Sequence, residues 1–199
     1  ISEIKNNIEN KTLIFYTNGL LGSRKSQTYS NFNDFMYNLS YWSSWSNGFN
    51  IWKSEFDKID KNLKLNKLFP HTSLFLTQHH AKLFCINDNL LFDVQRIPKR
   101  GGHNKFEAFT IEYPSLLDEC CKKGHISTKC KKHILFGIMV QFLPSLLFNK
   151  YIIRIETFDD TGFRNNLKKY YPSYAYWLVL ISVLGVPFRL FCRKLKNKR

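Results

Sequence analysis

Short runs of apolar residues with two different spacings predict a strand and a helix near the start of the chain. Residues 12–17 are rich in strand-forming types and end at Asn18-Gly19, a dipeptide that favours positive φ and therefore a tight turn. Apolar residues then recur at helical spacing from Phe32 onwards, and Asn31 is placed to cap that helix. The polar residues 22–30 between them are expected to form a loop.

The next segment predicts a charged helix followed by a sheet. Residues 56–68 mix charged and apolar positions, which favours a short helix that Phe69-Pro70 would end. Residues 73–95 alternate loosely between apolar and polar types, and Asn87-Asp88-Asn89 is typical of a turn. This pattern predicts a small antiparallel sheet.

Two further elements complete the predicted N-terminal domain. Residues 106–113 alternate well and predict one more strand, and residues 116–123 predict a short helix. Residues 1–132 are therefore expected to form a small soluble α+β domain. The chain has 199 residues, which is enough for one such domain and an appendage.

A long uncharged stretch near the C-terminus has the length of a membrane span. Nineteen residues, 170–188, carry no charge, and as a helix they would extend about 28 Å, close to the thickness of a bilayer's hydrocarbon core. Tyrosines and Trp177 crowd one end, as at a membrane–water interface, and basic residues follow the other. The sequence predicts a transmembrane helix here.

A second uncharged stretch, residues 134–149, is shorter and contains Gln141 and Pro144. It fits a second span, a re-entrant segment or a buried core helix. Residues 133–199 are accordingly expected to form a membrane-anchoring helical hairpin, with one or two transmembrane helices and a basic tail. The alternative is a soluble protein in which both stretches lie in the core.

Positive charge is concentrated beside these two stretches. The net charge is +15, and residues 96–133 hold nine basic against four acidic side chains, while residues 170–199 hold six basic and no acidic ones. Such clusters bind phosphate on anionic lipid, cardiolipin among them, or on nucleic acid. If both stretches cross the membrane, the two basic flanks lie on one side, as the positive-inside tendency requires. The expected phosphate contacts are Arg96, Lys99, Arg100, Lys105, Lys129, Lys131, Lys132, Arg189, Arg193 and Lys194.

One cluster has the residue types of a zinc site. Cys121, His125, Cys130 and His133 have the spacing C-x3-H-x4-C-x2-H, whose middle step resembles the second half of a zinc knuckle, although the usual C-x2-C opening is missing. The alternative is a set of partly buried cysteines beside a basic membrane anchor. Five cysteines in all, an odd number, argue against a disulfide scaffold.

No arrangement of residues indicates catalysis or a bound nucleotide. The chain has no Ser-His-Asp pattern, no Cys-His nucleophile signature and no glycine-rich phosphate loop. The basic segment 96–105, which contains Gly101 and Gly102, would instead suit an irregular RNA backbone or be an ordinary exposed loop. We therefore expect a non-enzyme without a catalytic or cofactor-binding residue.

The composition, rich in Phe, Asn and Lys, and the initial Ile resemble those of lineage-specific mitochondrially encoded proteins of ciliate type. This resemblance implies a part of a respiratory complex, the ATP synthase or the mitochondrial ribosome. The first expectation is a non-catalytic accessory subunit of a mitochondrial inner-membrane complex, with the N-terminal domain and C-terminal tail facing the matrix. The alternative is a mitochondrial ribosomal protein that binds rRNA and ribosomal proteins through its basic segments.

Overall fold

The computed structural model describes residues 10–46, 48–92 and 104–197, and only the backbone of residues 193–197. Helices predominate over one three-stranded sheet, so the predicted α+β class is confirmed. Contacts divide the chain into two units, residues 1–93 with 116–131 and residues 94–115 with 132–199. The sequence instead groups residues 94–115 with the N-terminal domain.

The sheet belongs to the first unit and is built from three four-residue strands. They are β1 (Leu13–Tyr16), β2 (Ser26–Tyr29) and β3 (Phe84–Asn87). Strand β3 lies in the middle, parallel to β1 and antiparallel to β2. The predicted strand over residues 12–17 is confirmed, and so is the turn after it, because Asn18 and Gly19 have φ of 50° and 76°.

Short helices accompany this sheet. They are α1 (Phe32–Leu39), the 3₁₀ turn Ser40–Ser44, α2 (Lys53–Phe56), α3 (Pro70–Leu76) and the 3₁₀ turn Thr77–His80. The predicted cap of α1 is confirmed, because the Asn31 side chain accepts a hydrogen bond of 2.8 Å from the backbone N–H of Asp34.

Three predictions for this unit are wrong, the first being the expected loop over residues 22–30, which contains β2 (Ser26–Tyr29). The expected helix over residues 56–68 is absent, because α2 ends at Phe56. The expected antiparallel sheet over residues 73–95 is not formed in its described part, because α3 replaces the first strand and β3 (Phe84–Asn87) is the one strand present there. Pro70 begins α3 rather than ending a helix, since a fixed φ and a missing N–H are both tolerated in the first turn. Residues 93–95 lie outside the described residues.

Aromatic rings fill the space between the sheet and the helices. The ring of Phe35 lies 5.1 Å from that of Phe84, and the ring of Phe75 lies 5.5 Å from that of Phe15, between ring centroids. Gly48 is required beside Phe15, because a Cβ at that position would lie 2.1 Å from the ring. The abundant phenylalanine of the sequence is thus used for packing in this unit.

Helix α4 replaces the strand predicted over residues 106–113, so that prediction is wrong. It covers residues 105–122, as Lys105–Glu107, the π-helical turn Ala108–Glu112 and Tyr113–Lys122, and so includes most of the helix predicted at 116–123. Asn104 caps its start by accepting a hydrogen bond of 2.9 Å from the N–H of Glu107. Phe106, Thr110 and Tyr113 are buried at helical spacing, which the apparent alternation conceals.

The C-terminal part of the chain is helical throughout most of its length. It contains α5 (Thr128–Ile152), α6 (Phe163–Tyr170), α7 (Ala175–Val183) and α8 (Val186–Asn197). Helix α5 is the one described helix long and apolar enough to cross a membrane, and it contains the stretch 134–149. Half of its most apolar window is buried inside the protein.

The span predicted over residues 170–188 is not one continuous helix, although α7 and the first part of α8 together are long and apolar enough for a broken span or a re-entrant loop. Helix α6 ends at Tyr170, and the rest of the stretch is divided between α7 and α8, which are bent by 53° relative to each other. Gly185 and Pro187 lie at this break. Proline has no N–H to continue the hydrogen-bond ladder of α7, but it is tolerated in the first turn of α8.

Candidate functional site

Large exposed side chains occur at regular intervals along α7 and α8 and at the residue just before α7. They recur three or four residues apart and are Tyr174, Trp177, Ile181, Leu184, Phe188 and Phe191, which we call the apolar stripe. Leu184 is 82% exposed and Phe188 is 71% exposed, values unusual for side chains of this size. The opposite side of α7 is packed, since Ala175 and Val179 are fully buried.

Aromatic and cationic side chains meet at the start of the apolar stripe. The guanidinium of Arg164 on α6 lies 5.2 Å from the ring centroid of Tyr176 and 6.0 Å from that of Trp177. The ammonium of Lys169 lies 5.3 Å from the ring of Tyr170. Such contacts hold cations beside amphipathic rings, an arrangement that suits the level of lipid headgroups.

Arg189, at the other end of the uncharged stretch, is held by backbone carbonyls. Its guanidinium donates to the carbonyl of Val140 and, at 3.4 Å, to that of Ser182. Val140 belongs to the π-helical turn Ile138–Phe142 of α5, and Ser182 belongs to the last turn of α7. Arg189 thus connects both sides of the bend to α5, and it is less available for phosphate than the sequence indicates.

Besides Arg189, four of the expected phosphate contacts have described side chains, and two of these four are in ion pairs. Lys105 forms an ion pair of 2.7 Å with Glu156, and Lys131 forms one of 2.7 Å with Asp118. Lys129 lies 6.0 Å from the ring centroid of Tyr37. Lys132 is exposed and makes no ion pair or hydrogen bond with any residue that the structure describes.

The remaining expected contacts are not placed. Arg96, Lys99 and Arg100 lie outside the described residues, and the side chains of Arg193 and Lys194 do too, although both belong to the backbone of α8. Lys105 is therefore the one basic residue of the segment 96–105 that the structure describes, and it forms an ion pair with Glu156.

The expected zinc ligands are not brought together. No group of three or more His, Cys, Asp or Glu side chains in the described ranges is placed to hold a metal ion. Cys130 is buried with its Sγ 3.6 Å from the carbonyl oxygen of Asn33, and the ring of His125 stacks on that of His79 with 3.5 Å between centroids. Cys121 contacts Thr128 at 3.7 Å, and His133 belongs to the second unit.

Cys120 and Cys130, two of the cysteines in this region, are buried. Burial raises the pKa of the Cys120 thiol to about 12, with a further contribution from the neighbouring Cys130. Cys120 and Cys130 contribute to the packing of the first unit.

A cavity of about 450 Å³ opens beside the unpaired Lys132. Its walls come from α5 and from the segment that joins α6 to α7, and its lining residues are Lys132, Leu135, Phe136, Met139, Tyr170, Tyr171, Pro172 and Tyr174. The hydroxyl of Tyr171 donates to the carbonyl of Phe109 at 2.7 Å, which fixes that ring as part of the wall. No local sequence pattern joins residues 132–139 to residues 170–174, so sequence reasoning misses this cavity.

Comparison of the chain with protein-family models, with curated proteins and with solved structures gives no match. The apolar stripe, its charged ends and the cavity are therefore the features of this chain that bear on its function.

Proposed function

We propose that this protein is a non-catalytic accessory subunit of a membrane complex, held at the bilayer by the apolar stripe. The observation that carries the proposal is the exposure of six large apolar or aromatic side chains along α7 and α8. Transfer of one such side chain out of water is worth about 1.5–3 kcal/mol, so a row of them favours an apolar environment strongly.

Charge distribution favours lipid over a water-soluble partner as that environment. No charged residue occurs from Tyr170 to Phe188, Tyr174 and Trp177 mark one end of the stripe, and basic residues of α8 follow the other. Tyr, Trp, Lys and Arg are the side chains that prefer the headgroup region, whereas Ile181 and Leu184 suit the acyl chains. The contacts of Arg189 with carbonyls also fit a position near lipid, where an uncompensated charge is costly.

The bend between α7 and α8 supports insertion of a helix face rather than the one or two complete spans that the sequence predicts. Helix α7 has nine residues and is about 14 Å long, which is half of a hydrocarbon core. Insertion from one side keeps the N-terminal unit and the basic tail on that side of the membrane. In the mitochondrial inner membrane, which the composition favours, this is the matrix side.

Alkaline carbonate extraction of native membranes tests this function. The intact protein should stay in the membrane pellet, and the double substitution Ile181→Lys with Leu184→Lys should move it to the supernatant, because both side chains are exposed and lie at the centre of the stripe. The matched control is Leu63→Lys with Leu65→Lys, two exposed leucines of the first unit, which should leave the protein in the pellet.

Two results would contradict the membrane assignment. One is release of the unsubstituted protein by carbonate. The other is cosedimentation with ribosomal subunits at moderate salt that is lost after RNase treatment, which would support the ribosomal alternative instead. If the membrane assignment holds, mass spectrometry of proteins that comigrate on a native gel will identify the complex.

A further inference from the structure

The cavity beside Lys132 has the chemistry of a binding site for an amphipathic anion. Its single charged lining residue is Lys132, whose ammonium is exposed and unpaired among the described residues. The remaining lining residues are aliphatic or aromatic, apart from their tyrosine hydroxyls. A volume of about 450 Å³ lies in the range of ordinary ligand pockets.

The walls of the cavity divide into an apolar floor and an amphipathic rim. Leu135, Met139 and Tyr171 are buried and form the floor. Phe136 and Tyr174 are more than half exposed at the rim. Lys169 lies next to this rim, since its ammonium is 5.3 Å from the ring of Tyr170. An acyl chain suits the floor, and a phosphate suits the ammonium group of Lys132.

The cavity is also continuous with the surface that we propose to face lipid. Tyr174 belongs both to the cavity wall and to the start of the apolar stripe. This is the end of the stripe where tyrosines and Trp177 indicate the headgroup level. A lipid molecule bound here would keep its phosphate among the other headgroups while one acyl chain enters the protein.

We propose that this cavity is a specific site for one anionic phospholipid, with its phosphate on Lys132 and an acyl chain against Met139 and Tyr171. The inference rests on the proposed membrane location, which brings the cavity into reach of lipid. Lys132, and not the nearby lysines, would hold the phosphate, because Lys131 is paired with Asp118 and Lys129 lies over Tyr37.

Native mass spectrometry of the full chain purified in neutral detergent tests the site. Detergent removes the charged bilayer surface, so only lipid bound at a site remains as an adduct. With cardiolipin or phosphatidylglycerol as the probe, we expect a saturable adduct of one lipid per chain, and phosphatidylcholine should bind at least about fivefold more weakly. Lys132→Gln should weaken the anionic adduct about fivefold, as expected for the loss of one cation near a phosphate.

Lys129→Gln is the matched control, since Lys129 lies one helical turn from Lys132 but outside the cavity. It should leave the adduct unchanged. Equal losses in both variants would overturn the proposal, because they would show diffuse attraction to basic residues. Equal binding of phosphatidylcholine would overturn it as well.

Two further experiments distinguish a site for a whole lipid from a site for free phosphate. Dioleoyl phosphatidylglycerol should bind more tightly than its dihexanoyl counterpart, because the longer chain fills the apolar floor. Inorganic phosphate at millimolar concentration should not displace the lipid. Equal binding of the two chain lengths, or displacement by phosphate, would show a headgroup site alone and overturn the proposal.

The failure of this site and the failure of the membrane function give different results. If Lys132→Gln binds lipid like the unsubstituted protein while the latter still resists carbonate extraction, only the lipid site is wrong. If carbonate releases the unsubstituted protein, the membrane location is wrong in itself.

Discussion

Asp88 is the buried carboxylate that fixes the loop between β1 and β2. One of its oxygens accepts hydrogen bonds from the hydroxyl of Thr17, at 2.5 Å, and from the N–H of Leu21, at 3.0 Å. The other accepts from the N–H groups of Ser23, at 2.7 Å, and Arg24, at 3.1 Å. Burial opposes ionisation of Asp88, but these hydrogen bonds prevail and hold its pKa below the usual range.

The lowered pKa of His125 leads to a prediction of how the stability of the protein depends on pH. Burial is the main cause that lowers the pKa of His125, and the adjacent His79 and Lys123 lower it further. The unfolded state, with a pKa near 6.5, therefore binds more protons than the folded state as the pH falls below about 6.5. The contribution of His125 to the free energy of unfolding is fully present above that pH, and it is lost progressively as the pH falls towards the folded-state pKa.

NMR titration of the His125 ring and denaturant unfolding at several pH values check this prediction. Lys123→Gln should raise the pKa of His125, and His125→Gln should reduce the loss of stability between pH 7 and pH 5. A His125 pKa at or above 6.5 in the unsubstituted protein would contradict the assignment.

At the scale of elements, local capping signals predict helix α1 correctly because they act within a few residues. The Asn31 side chain faces the N–H of Asp34, and four apolar residues of α1 are buried on one side. The strand predicted over residues 106–113 is wrong because the same alternation also places Phe106, Thr110 and Tyr113 on one helical face. Short apolar patterns do not distinguish the two structures, and contacts distant in sequence decide between them.

The cap of α1 gives a prediction of stability. Asn31→Ala should lower the free energy of unfolding by about 1 kcal/mol, since it leaves the N–H of Asp34 without its side-chain acceptor. Asn31→Ser should recover most of this loss, because a serine hydroxyl can accept the same hydrogen bond. Chemical denaturation of the three proteins under one condition is the measurement, and equal stability of the Ala and Ser variants would argue against the cap.

At the scale of the whole molecule, the distribution of uncharged residues along the chain predicts that apolar segments lie near the C-terminus. It does not predict how these segments are arranged. The uncharged stretch 170–188 is divided at Gly185, and the shorter stretch belongs to the long helix α5. The sequence shows Gly185 and Pro187 but gives no direction for the bend, which depends on contacts such as that between Arg189 and Val140. The cavity depends on the same long-range contacts, because α5 and the α6–α7 connection are about 35 residues apart in sequence.

The most direct test of lipid contact uses the fluorescence of Trp177. The chain has four tryptophans, and Trp177, 59% exposed, is the one on the apolar stripe. In vesicles whose phospholipids carry bromine on their acyl chains, insertion of the stripe predicts strong quenching of tryptophan emission. Trp177→Phe should abolish most of this quenching, whereas Trp45→Phe, a control in the first unit, should leave it intact. Absence of quenching, or quenching that persists in Trp177→Phe, would contradict the proposed insertion.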